Sequence, residues 1–147
     1  MDKIIWIILA LLSGAVLPIQ AGLNARLGTA AQNPVYASAI SFVVGTVALI
    51  AYILVTRQTI SLTGIKELPF YIWLGGLLGA FYVTAIVLLF PKLGPGLTFG
   101  LVVAGQMIVS VLLDHYNILV AQQTPISYMK VLGIVLVVAG VVIIRKY

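Results

Sequence analysis

The chain has no cysteine, which excludes disulfides, thiolate metal sites and thiol chemistry. Its single histidine cannot form a His cluster, so neither a metal nor another cofactor is expected. Charge is scarce as well. Charged residues make up 7% of the chain, against about 25% in an ordinary soluble domain. The eight basic residues give a net charge of +5, but they stand singly between apolar runs and form no face that could track phosphates. Nucleic acid is therefore not an expected partner. Catalytic signatures are missing too. Ser110, Asp114 and His115 lie on one helical stretch and lack the geometry of a nucleophile and its base. Gly94-Pro95-Gly96 is not followed by Gly-Lys-Ser, so it is no phosphate loop. An enzyme is not expected.

Apolar residues fill the space that charge leaves. They account for 63% of the chain, and the mean hydropathy is +1.23. A soluble fold of 147 residues could not hide that much apolar surface. The reading is an all-α, polytopic membrane protein. A crossing takes about 20 mostly apolar residues, and the runs divide into five predicted transmembrane helices at about 4–23, 34–55, 69–90, 95–120 and 125–144. Residues 1–147 form one five-helix domain on this reading. Whether the fourth helix stops near Leu113 or passes Asp114 to about Val120 is left open by the sequence.

Proline supports the segmentation. Asn33-Pro34 and Thr124-Pro125 look like an N-cap followed by the first helical residue, where the missing N–H is not needed. Pro69 and Pro95 can open helices, and Pro91 can end one. Pro18 lies within the first apolar run, where it removes a backbone bond and is expected to kink the helix. Lys3, the apolar run and the small residues near Ala21 resemble a signal peptide, but Gln20 and Asn24 continue the helix face and four spans follow, so the segment is expected to be retained. The longest connection is about 56–68. Function is therefore expected to lie within or between helices.

Five spans put the termini on opposite sides. One side then carries Lys3, Arg57, Lys66 and Lys130, the other Arg26, Lys92, Arg145 and Lys146, which divides the eight basic residues equally. The positive-inside rule needs an excess on one side. Either another signal breaks the tie, or the chain inserts both ways and pairs antiparallel with itself. Two inverted copies would build the inverted-repeat architecture of secondary transporters.

Small residues mark helix contacts. Gly75 and Gly79, then Gly96 and Gly100, are small-xxx-small pairs. Gly133, Val137 and Gly140 lie on one seam of the last helix, suited either to packing within the chain or to a dimer interface. Polar residues in the apolar runs need partners or a watery cavity. Gln20 and Asn24 share a face with the Pro18 bend. Arg26 can bind an anionic group or snorkel to lipid headgroups. Gln106, Ser110 and Asp114 form a stripe at four-residue spacing. Asp114 and His115 can mark an ion or substrate path, or can make caps and a salt bridge with Lys130. Tyr82 lies deeper than Trp6, Tyr36, Tyr52, Tyr71, Trp73 and Tyr147, which are mostly near span ends, and either lines a site or packs with its hydroxyl bonded.

The runs Gly14-Ala-Val-Leu-Pro18-Ile-Gln20-Ala-Gly-Leu-Asn24-Ala-Arg26-Leu27, Ser41-Phe-Val-Val-Gly45, Trp73-Leu-Gly-Gly76-Leu-Leu-Gly79-Ala-Phe-Tyr82, Gly105-Gln106-Met107 and Asp114-His115-Tyr116 resemble the drug/metabolite transporter superfamily. Within it the chain resembles the half-length, five-helix YdcZ-type branch, over essentially its whole length. The resemblance implies half of a ten-helix inverted-repeat transporter in the bacterial inner (cytoplasmic) membrane. It implies secondary transport of a small metabolite or drug-like molecule across that membrane by alternating access, by an antiparallel homodimer or with a five-helix paralogue. The last helix, with Gly133 and Gly140, is similar to the dimer-forming helix of the small multidrug resistance branch. That branch's acidic residue in the first helix has no counterpart here. Expected substrate contacts are Gln20, Asn24, Arg26, Tyr82, Gln106 and Ser110. Gly14 and Pro18 would be the hinge, and Asp114 or His115 the proton-linked group. A non-transporting assembly or accessory subunit is the alternative.

Overall fold

The computed structural model describes residues 2–60 and 62–147. Every regular element among them is helical: α1 (Asp2–Ala30), α2 (Pro34–Thr56), the short α3 (Leu62–Lys66), one 3₁₀ turn (Phe70–Trp73), α4 (Leu74–Tyr116) and α5 (Tyr128–Lys146). Four helices, α1, α2, α4 and α5, are long and apolar enough to cross a membrane. Within α4 the backbone leaves helical geometry at Gly94 (φ 75°, ψ 164°), a conformation open essentially to glycine alone. The chain divides into two compact units, Met1–Pro91 and Lys92–Tyr147.

In the first unit, α1 buries Ala21, Asn24, Ala25 and Gly28, the i, i+3, i+4, i+7 pattern of a single helix face. Facing residues on α2 include the buried Ala37 and Ser38. The approach is close: a Cβ added at Gly28 would stand 3.6 Å from the Ala37 Cβ and 3.0 Å from a Val87 methyl. Bulky side chains point the other way, with Leu54 71% and Phe81 74% exposed. Small residues inside and large apolar residues outside is the arrangement expected where lipid, not water, surrounds the helices.

In the second unit α5 packs on the start of the second part of α4. A Cβ at Gly100 would meet both Val141 methyls at 2.9 and 3.1 Å, and one at Gly96 would meet Ile144 at 3.3 Å. The Gly96–Gly100 pair is thus a packing surface within the chain. Beyond the adjoining residues and backbone of its own helix, a Cβ built at Gly75, Gly133 or Gly140 meets no atom of the described residues within 4 Å.

Three helices end in one way. Gln32, Arg57 and Asn117 have φ of 53°, 51° and 56°. The residue after each donates its N–H back five residues, Asn33 to Gly28 O at 3.0 Å, Gln58 to Ile53 O at 3.1 Å and Ile118 to Leu113 O at 2.9 Å. This left-handed C-cap usually takes glycine; none of the three positions has one, so these ends gave no signal in the sequence.

Helix starts were partly legible. Asn33 caps α2 through its side chain, which accepts from the N–H groups of Val35 and Tyr36, with Pro34 at the first helical positions. The expected start at Thr124-Pro125 needs correction: α5 starts at Tyr128, and its cap is Ser127, whose hydroxyl accepts from Lys130 N–H. Thr124 is tied to Asp114 instead, its hydroxyl and N–H both donating to that residue. α4 likewise stops at Tyr116 rather than continuing to about 120, since Asn117 turns left-handed. α1 runs on past the apolar stretch to Ala30 and holds Pro18 inside it. Pro91 does not end a helix; the interruption comes at Gly94.

Gly94→Ala should cost about 1–3 kcal/mol through its backbone conformation. Gly100→Ala should cost a similar amount, about 1–3 kcal/mol, by overpacking against Val141. Gly105→Ala, where a Cβ meets nothing within 4 Å, should be neutral or slightly stabilising. Thermal loss of helicity in detergent, followed by circular dichroism, checks all three, and a Gly100→Ala/Val141→Ala double variant should recover most of the loss.

Candidate functional site

Hydroxyls on these helices mostly satisfy themselves. Ser13, Thr29, Ser38, Thr46 and Thr56 each donate to the carbonyl four residues back, at 2.7 to 3.0 Å. The exception that joins two helices is Asn24. Its side-chain amide on α1 donates to Ser41 Oγ on α2 at 3.1 Å, and Asn24 is only 7% exposed. Pairing two polar groups across a helix contact removes the cost of burying either alone.

One turn before Asn24, Gln20 opens into a cavity of about 240 Å³ in the first unit, whose other walls include Ser41, Thr46, Gly45 and the apolar Phe42, Leu49 and Val83. Apolar walls with a few placed polar groups are the usual make-up of a small-molecule site. Gln20 offers an acceptor and two donors, and its side chain makes no hydrogen bond among the described residues. Thr46 has given its proton to Phe42 O, and Ser41 Oγ already accepts from Asn24, so that Ser41 keeps a proton to donate. Neither Ser41, quoted above only within a run that carries the resemblance, nor Thr46 was picked out from the sequence as a site residue. Their signal is faint: Ser41, Gly45 and Thr46 are small or polar positions in the middle of a largely apolar helix.

Arg26 lies elsewhere. Two residues beyond Asn24 on a helix is a rotation of about 200°, and Arg26 lines a separate cavity of about 440 Å³ with Thr29, Phe90 and residues of α1. Pro18 also lines that second cavity, while a Cβ at Gly14 would meet nothing within 4 Å among the described residues beyond its own stretch of helix. Tyr82 buries its hydroxyl oxygen without a hydrogen-bond partner among the described residues.

In the second unit Gln106 and Ser110 are exposed on α4, and neither side chain bonds to a described residue. Asp114 and His115 grip the loop 117–127 instead. Thr124 Oγ1 donates to Asp114 Oδ2 at 2.9 Å, and Lys130 Nζ lies 3.6 Å from that oxygen. Lys130 Nζ also donates to the Thr124 carbonyl and hydroxyl, both at 2.9 Å. His115 accepts the Ile126 N–H at Nδ1, 3.3 Å away, and its carbonyl accepts from Gln123 Nε2 at 2.7 Å. One further buried hydroxyl, Thr98 Oγ1, has no partner among the described residues. The carbonyl four residues back belongs to Gly94, whose ψ of 164° turns it away from the helix axis. Among the described residues no group of three or more His, Cys, Asp or Glu could hold a metal ion.

The Asp114–Lys130 contact is partly exposed, so it should add no more than about 1 kcal/mol. Lys130→Met or Thr124→Val should raise protease nicking within 117–127 about two- to fivefold, since cleavage follows the population of the opened loop. Limited proteolysis in detergent, read by mass spectrometry, measures it.

No curated protein and no solved structure matches the chain. Residues 5–143 match the family described as "Putative inner membrane exporter, YdcZ". The match spans nearly the whole chain and agrees with helices that expose their apolar faces, and so this multi-pass inner-membrane protein belongs to the YdcZ exporter family.

Proposed function

We propose that the chain exports a small polar or drug-like metabolite by alternating access, and that Gln20 is its principal substrate contact. The observation that carries this reading is the cavity of about 240 Å³ on which Gln20 opens, with Ser41 and Thr46 beside it and apolar side chains around them. Asn24 acts there as a positioning residue, through its bond to Ser41. Gln106 and Ser110, exposed on α4, are the second set of contacts, completed by another copy of the chain.

The five-span reading belongs with this proposal. A continuous helix of 43 residues would be about 65 Å long at 1.5 Å per residue, twice the hydrocarbon thickness of about 30 Å. The break at Gly94 supports two crossings instead of one. Five crossings place the termini on opposite sides and leave the basic residues tied, four against four out of eight. That tie supports insertion in both orientations and an antiparallel homodimer, which would amount to a ten-helix inverted repeat. The open glycine positions at Gly133 and Gly140, with Val137 on the same seam, suit a close-packed partner helix. The contacts of Asp114 and His115 support a role in holding the 117–127 loop, and proton linkage is not part of the proposal. A non-transporting subunit is the second reading, favoured only by the exposed Gln106 and Ser110, which would serve as hydrogen-bonding glue to a different protein.

In everted membrane vesicles supplied with a panel of labelled small metabolites, the wild-type chain should accumulate at least one of them. Gln20→Leu should lower that uptake at least about tenfold, the effect of one lost polar contact of about 1.4 kcal/mol. Gln106→Leu should do the same without altering expression or thermal stability. Unchanged uptake in both variants moves these residues to structural roles, and no uptake of any compound favours the accessory-subunit reading.

Orientation gives a separate test. Two or three lysines added to the 57–66 loop should hold that loop in the cytoplasm, and the same addition beside Lys146 should hold the opposite orientation. Each locked variant alone should lose uptake, and co-expression should restore it. Full activity of either one by itself rejects the antiparallel dimer.

A further inference from the structure

The second cavity of the first unit has a chemistry unlike the first. It holds about 440 Å³ and follows α1 from Pro18 to Thr29, with the Phe90 ring on the opposite wall. Its two polar side chains stand together at one end. Thr29 has already donated its proton to the Ala25 carbonyl at 3.0 Å. Arg26 makes no ion pair or hydrogen bond among the described residues, and no acidic side chain lines the cleft. Five guanidinium donors are thus left at the mouth of an apolar groove. They have no counter-charge among the described residues.

The order of groups along α1 is equally specific. Arg26 stands four residues from the helix end at Ala30, about 6 Å along the axis. Leu23, Gly22, Ile19 and Pro18 line the cleft in the other direction, and Pro18 lies about 12 Å from Arg26 along the helix. The cationic end therefore stands at the end of a helix of 29 residues, about 43 Å long and longer than the hydrocarbon layer of about 30 Å. The apolar end extends toward the middle of the membrane, over most of the depth of one leaflet. Gly22 has a part in shaping the groove, because a Cβ there would stand 3.5 Å from the Phe90 ring and a larger side chain would fill the space between them.

We propose that this cleft is a binding site for one anionic phospholipid, its phosphate held by Arg26 and an acyl chain lying along Leu23, Gly22, Ile19 and Pro18. Arginine suits this task because its planar fork meets phosphate oxygens two at a time. A zwitterionic lipid offers the same phosphate with a cation beside it, so an anionic headgroup should be preferred. The site is separate from the Gln20 cavity and does not depend on what the chain transports.

Native mass spectrometry tests it on the whole protein, released from mixed micelles of phosphatidylglycerol and phosphatidylcholine. The wild-type chain should retain one phosphatidylglycerol in preference to phosphatidylcholine. Arg26→Gln should weaken that retention about tenfold or more, the scale of a lost charge-assisted pair, and Arg26→Lys should fall between. Gly22→Leu should lose the lipid although Arg26 is intact. Leu23→Trp, at a position 64% exposed and tolerant of size, gives the same reading if Gly22→Leu fails to fold. Inorganic phosphate at tens of millimolar, on the order used to compete a surface ion, should leave the lipid in place. Equal retention by wild type and Arg26→Gln overturns the proposal, as does equal retention of the two lipids. Binding that survives both groove-filling variants overturns the acyl-chain placement, and displacement by inorganic phosphate shows a site for a free anion instead.

Discussion

Hydrocarbon supplies no hydrogen bonds, and most of the described polar groups are placed as that condition requires, the buried Tyr82 and Thr98 hydroxyls being exceptions. Backbone groups are satisfied within helices, which is why no strand occurs among the described residues. Five serine and threonine hydroxyls bond to carbonyls of their own helix. Asn24 has a larger demand, with an amide that its own helix cannot serve, and it takes Ser41 from the neighbouring helix. That bond fixes the α1–α2 contact at the level of the Gln20 cavity. The small faces of both helices make it reachable, for the backbones must be close before a short asparagine can span the gap.

Close approach has a consequence for function. With Ala21, Ala25 and Gly28 on one helix and Ala37 and Ser38 on the other, little side-chain volume is available to fill the regions where the helices part. The polar cavity beside Gln20 and the apolar cleft beside Arg26 both border α1. They lie on different sides of it, and their chemistry follows from which residues each side carries. A single helix thus presents an amide to one space and a guanidinium to another.

The second unit spends its polar groups differently. Asp114, Thr124, Lys130, His115, Gln123 and Ile126 form a connected set that ties the loop to the end of α4 and the beginning of α5. An ionisable pair at the end of an apolar helix reads in the sequence either as a transport device or as caps and a salt bridge with Lys130, because charge in a membrane is costly. Here the same cost is met by mutual bonding in a loop that is largely exposed. What distinguishes the two uses is the position of Thr124 and Lys130, which only folding brings to Asp114.

Composition and apolar runs alone determined the helical class, the membrane setting and four of the long apolar stretches, since a bilayer selects for length and hydropathy before any contact is made. The Asn33-Pro34 start was equally plain, because a cap acts within four residues of itself. Resemblance in sequence pointed to the exporter family that the match over residues 5–143 establishes. The helix ends at Gln32, Arg57 and Asn117 were hidden, as their left-handed turns use residues other than glycine. Nor could spacing tell that the Gly96–Gly100 pair packs against Val141 and Ile144 while Gly133 and Gly140 stay open. Helical periodicity says which residues share a face. It does not say what that face meets, and so Ser41 beside Gln20, the separate cleft of Arg26 and the loop held by Asp114 were decided by the tertiary structure, where the partners come from other segments of the chain.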